Sequence, residues 1–130
     1  MELRDYYLST AAIGGLVGSA QEFAPFLIAH LNEGCGILNA DSVRQMQTIV
    51  AHGQAGIEAK VGVGLGWKIG QVAGHVFLNH EGGGAGFTSE TRLYPQEQLG
   101  IIMLMNMMGA RVSRLAHRIC EMIRESRWEN

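Results

Sequence analysis

The chain has 130 residues, 47% of them hydrophobic and 17% charged, with a formal net charge of −2. That length bounds it to a single domain, 1–130, with a modest core and little stability to spare. The hydrophobic fraction excludes a disordered tail, and the near-neutral charge excludes a whole-protein attraction to nucleic acid or anionic lipid.

The apolar stretch at residues 8–17, followed by Gly18, Ser19 and Ala20, imitates an export signal. Glu2, Arg4 and Asp5 make its start net acidic where a signal needs positive charge, so no cleaved signal is expected. The later apolar run at 101–105 is too short to span a bilayer, so a membrane partner is not expected. No compartment is assigned.

Ser19 followed three positions later by Glu22 is a capping-box signature, and it predicts a helix over 19–33. Phe23, Phe26, Leu27 and Leu31 share one face, and Gly34 ends the run. Pro25 lies inside and removes a backbone hydrogen bond, so a kink or a later start is expected. A shorter helix over 41–51 carries Val43 and Met46 inward, with Ile49 and Val50 as further candidates.

From Val61 the texture becomes β. Strands are predicted at 63–69, 74–81, 87–94 and 99–107, joined by short turns as an antiparallel meander. The last is apolar on both alternating faces and needs cover on both sides. After Gly109, the stripe Val112, Leu115, Ala116, Ile119, Cys120 and Ile123 predicts a C-terminal helix of about four turns. The expected fold class is α+β, with an antiparallel sheet of three to four strands, this long helix and two shorter ones.

Cys35 and Cys120 are far apart and belong to no CxxC pair. They are read as buried, reduced thiols. The glycines at 82, 83, 84 and 86 miss the dinucleotide pattern, because Phe87 stands where its last glycine belongs. His80-Glu81 lacks the second histidine of a zinc protease. His117 and Cys120 supply two ligands where a site needs more. His75 and His80, an odd number apart on one strand, point to opposite faces. No metal or cofactor is expected. Arg111, Arg114, Arg118, Arg124 and Arg127 alternate with Glu121, Glu125 and Glu129, which reads as a solvated helix face.

Three stretches stand in a recognisable order. They are Gly64-Leu65-Gly66-Trp67, then His80-Glu81-Gly82 with Gly86-Phe87 and Pro95, then the apolar strand ending at Asn106. Upstream, Gly14-Gly15-Leu16 precedes the first helix. Together, over residues 12–108, these resemble the C-terminal region of the serine β-lactamase-like family of class C β-lactamases, D-aminopeptidases, esterases and penicillin-binding-protein-like proteins. That family usually has Asp where Glu22 stands, and Pro25 is unusual there. The resemblance implies that His80 faces a substrate cleft, that Gly82 allows close approach of substrate backbone, and that the Gly83 amide supplies one oxyanion-hole donor. Phe87 is expected to anchor its strand in the core.

The family's nucleophile lies in Ser-x-x-Lys. Ser9, Ser19, Ser42, Ser89, Ser113 and Ser126 all lack a lysine three residues on, and none of Tyr6, Tyr7 and Tyr94 begins the family's Tyr-x-Asn. One oxyanion donor without a nucleophile cannot run acyl transfer, so no catalytic residue is assigned. Three functions remain open: a β-lactamase-like module inactive alone, a non-enzymatic binding or assembly module on the same half-fold, and a half that works with a complementing N-terminal fragment. An apolar final strand at a sheet edge also predicts a homo-oligomer, joined through that edge or the C-terminal helix.

Overall fold

In the computed structural model, residues 13–53, 61–84 and 86–128 are described. Two helices lead, α1 (Ala20–Leu31) and α2 (Ala40–Met46), and six strands follow: β1 (Ala51–Gly53), β2 (Val61–Val63), β3 (Lys68–Val72), β4 (His75–Gly84), β5 (Phe87–Tyr94) and β6 (Leu99–Met105). A 3₁₀ turn at Pro95–Glu97 joins β5 to β6, and α3 (Val112–Trp128) closes the chain. The α+β class is as expected. The sheet has six strands in sequence order, all antiparallel, instead of three to four.

The difference lies at one end of the sheet. The expected strand at 63–69 is two strands, because a turn at Leu65 and Gly66 separates β2 from β3, with Gly66 at φ +79°. β1 is three residues, Ala-His-Gly, with no alternation to reveal it. β4 continues to Gly84, so Gly82, Gly83 and Gly84 are strand residues.

α1 starts where the capping box places it. The Ser19 amide donates to Glu22 Oε2 at 2.8 Å, and the Glu22 amide donates back to Ser19 Oγ at 3.2 Å. Pro25 is accommodated without a break in the helix. At the other end the Gly34 amide donates to Ala29 O at 2.6 Å, the six-to-one bond of a Schellman motif, with Glu33 left-handed at φ 54°.

The sheet has a core on each face, as the doubly apolar β6 requires. On one, α3 packs Val112, Ala116 and Cys120 against Phe77, Tyr94, Ile101 and Met103. On the other, α1 lays Leu27 on Trp67, Ile69, Leu78 and Leu93, with Phe23, Phe26, Leu31 and Met46 around them. Three side chains depart from expectation. Cys35 is exposed while Cys120 is buried, both as free thiols. Phe87, expected to anchor its strand in the core, is 48% exposed at the first position of β5, where it pairs with Gly84. Arg124 is turned inward: its guanidinium lies 5.0 Å above the Tyr94 ring and donates to Glu97 Oε1 at 2.7 Å. His75 Nδ1 shares that oxygen at 2.5 Å, which ties the β3–β4 turn to the C-terminal half of α3.

Candidate active-site wall

Strand β4 carries the three residues singled out from sequence. His80 and Gly82 alternate onto the α1 face, and Gly83 and Glu81 lie on the α3 face. All are exposed. β3 accompanies β4 only as far as the Lys68–Asn79 pair, whereas β5 runs beside it from Leu78 to Gly84. From His80 onward, one backbone edge of β4 therefore has no strand beside it among the described residues. Donors and acceptors on such an edge can pair with an extended backbone.

His80 also lines a cavity of about 240 Å³, with Phe23, Phe26, Met46, Gly66, Trp67 and Thr91. Its walls are mostly apolar. Phe26 stacks on Trp67 with ring centroids 6.3 Å apart, and His30 meets both rings edge-on at 4.6 and 5.3 Å. Trp67 is 3% exposed and His30 4%. The Trp67 Nε1 and both His30 ring nitrogens are buried without a hydrogen-bond partner among the described residues. Burial lowers the His30 pKa from its ordinary value, since the charged ring would lose its hydration. The structure thus puts His80 beside an aromatic cavity that Gly82 and Gly83 do not line. Gly82 keeps the strand surface low: a Cβ there would stand 2.6 Å from Ser89 Oγ.

Behind the strand lies a polar cluster that sequence reasoning missed. Glu90 is 1% exposed and Arg92 0%, and Arg92 Nε donates to Glu90 Oε1 at 2.7 Å. The Arg92 guanidinium also sits 4.4 Å over the Phe77 ring. Ser113 Oγ, in the first turn of α3, lies 2.7 Å from Glu90 Oε2 and 2.5 Å from Glu81 Oε1. Lys68 Nζ reaches the other Glu81 oxygen at 3.1 Å. The hydrogen bond from Ser113 lowers the Glu81 pKa, and burial raises that of Glu90.

The family profile described as Beta-lactamase matches residues 2–120. The chain belongs to the β-lactamase family. Among solved structures it is similar to an octameric penicillin-binding protein homologue from Pyrococcus abyssi, with a TM-score of 0.76 and 20% identity. That likeness covers 82% of this chain and 24% of the other, so this chain spans about a quarter of that protein's length and shares its fold there. No curated protein matches. The β-lactamase family assignment agrees with the motif order at Trp67, His80, Gly82 and Asn106.

Proposed function

We propose that this chain is the substrate-binding wall of a β-lactamase-like serine hydrolase and does not catalyse acyl transfer by itself. The observation that carries the reading is the coincidence on one strand of an exposed His80 that lines an apolar cavity, a side-chain-free Gly82 and an unaccompanied backbone edge. In this reading His80 binds or polarises the substrate, Gly82 lets its backbone approach, and the Gly83 amide supplies one oxyanion donor. Ser-x-x-Lys and Tyr-x-Asn do not occur in these 130 residues, so in this reading a nucleophile is supplied from outside them, and a complementing N-terminal fragment is the source proposed.

A fluorescent penicillin tests this. The expected result is no covalent labelling of the chain alone, and labelling of an added polypeptide carrying Ser-x-x-Lys that depends on His80. Serine-linked label on this chain alone overturns the reading. Failure of any family polypeptide to become labelled in its presence favours the stand-alone, non-enzymatic binding or assembly module. We also propose a homo-oligomer, because β6 is an outer strand of the sheet among the described residues and Leu104 on it is 53% exposed. The archaeal neighbour's octameric state supports that reading.

A further inference from the structure

Ser113 Oγ touches two carboxylates at once, Glu90 Oε2 at 2.7 Å and Glu81 Oε1 at 2.5 Å. A hydroxyl has one hydrogen to donate and can accept another bond. If both carboxylates were ionised, one of these two short contacts would set lone pair against lone pair. Both contacts are attractive only when a carboxyl group supplies a second proton. The surroundings say which one. Glu81 is half-exposed and beside the Lys68 ammonium, which favours its ionised form. Glu90 is enclosed, and its two oxygens have different partners: Oε1 accepts from Arg92 Nε, and Oε2 faces the hydroxyl. A neutral carboxylic acid fits this arrangement, with Oε1 as the carbonyl and Oε2 as the O–H.

We propose that Glu90, Ser113 and Glu81 form a proton-holding latch, Glu90 O–H to Ser113 Oγ and Ser113 O–H to Glu81, which ties strand β4 to α3 directly behind His80 and Gly82. Glu81 stands between those two residues in sequence and points the other way, so the latch fixes the strand that presents them. The proton balance is simple. Acidification adds one proton to Glu90 and makes the second hydrogen bond; raising the pH removes that proton to solvent and leaves two carboxylates facing one hydroxyl. The charged groups facing Glu90 are Arg92 on its own strand, Glu81 on β4 with Lys68 behind it on β3, and none on β6, whose paired residue is Met103. On α3 the face presents Ser113, and His117 one turn on is paired with Glu121. Burial raises the Glu90 carboxyl from its ordinary value, against the opposing pull of Ser113 and Arg92.

The latch bears on the proposed function, since it regulates the strand carrying His80. Its test reads the carboxyl groups and not ligand binding, so either idea can fail alone. Carbon-detected NMR of the full chain, labelled at the glutamate side-chain carboxyls, follows Glu90 and Glu81 through a pH titration. The expected midpoint for Glu90 lies above 4.5, the ordinary carboxylate value. Ser113→Ala should then lower it, because the acid loses the acceptor for its proton. Glu90→Gln, whose amide donates permanently in place of the O–H, should remove the pH response of the Gly82 and Gly83 amide signals. A Glu90 midpoint at or below 4.5 in the unmodified chain overturns the proposal without any variant having to fold. So does a rise in that midpoint on Ser113→Ala, which would mean that Ser113 donates to an ionised Glu90.

Discussion

His30 pairs full burial with two ring nitrogens that find no hydrogen-bond partner among the described residues. Its lowered pKa has a definite sign in stability. The unfolded chain takes up a proton near the ordinary histidine value of 6.5, and the folded chain resists it until a lower pH. The His30 contribution is therefore fully present above 6.5 and is lost as pH falls below it. His30→Leu should abolish that slope and, by removing buried polar atoms without partners, raise stability at pH 7 by about 1 kcal/mol. Urea midpoints between pH 5 and 8 check both, and an unchanged slope would place the titration elsewhere. Gly82 gives a second expectation at this scale. Alanine there meets only the movable hydroxyl of Ser89, so Gly82→Ala should cost less than ~1 kcal/mol of stability while weakening whatever binds over β4. A variant that loses stability and binding together would make Gly82 a folding residue. Neither His30 nor Glu90 was legible as buried from the sequence. Neither residue stood out there, because whether a polar group is buried depends on long-range packing that spacing alone does not reveal.

Helix α1 shows which elements a sequence announces. The Ser19–Glu22 box and the Phe23, Phe26, Leu27, Leu31 stripe are local signals, and the helix begins where they put it. Pro25 argued for a kink or a later start, yet helix runs through it, since packing of α1 on the sheet outweighs one missing hydrogen bond. That cost is still carried. Pro25 is exposed, so Pro25→Ala should stabilise the protein by roughly 1–3 kcal/mol in chemical denaturation, reduced by the extra freedom of the unfolded chain. No gain would mean that the proline already fits the local geometry. β4, β5 and β6 were legible because each is long and bounded by turn residues, β6 as a continuous apolar run. β1 and the break between β2 and β3 were not. Three-residue strands carry no period, and a glycine-rich run can be strand or turn until long-range pairing decides. The α3 stripe placed Val112, Ala116 and Cys120 in the core, but the inward turn of Arg124 depended on Glu97 and Tyr94, which lie on other elements.

At the scale of the whole molecule, both sheet faces are covered near the centre and left open at one end. β6 pairs with β5 alone among the described residues. Leu104 is 53% exposed, and Met107 and Met108 just beyond the strand are 58% and 66% exposed. An outer strand with apolar side chains beside unpaired backbone groups invites pairing with another strand. Two copies related by a two-fold axis can join β6 to β6 and extend the sheet without opening a chain of further contacts. An interface of standard size buries about 800 Å² on each partner. At roughly 25 cal/mol per Å² for its apolar part, that gain is large beside the few kcal/mol expected of so small a domain. A homodimer is therefore the expected state at micromolar concentration, through β6 or along α3. Leu104→Lys separates the two routes: a charge on the α1 face of β6 should dissociate an edge-to-edge dimer and leave a dimer joined through α3 intact. Sedimentation equilibrium reads the result directly. A stable, well-folded species at 14.1 kDa for the unmodified chain would show that the edge is satisfied within one molecule and would end the dimer proposal.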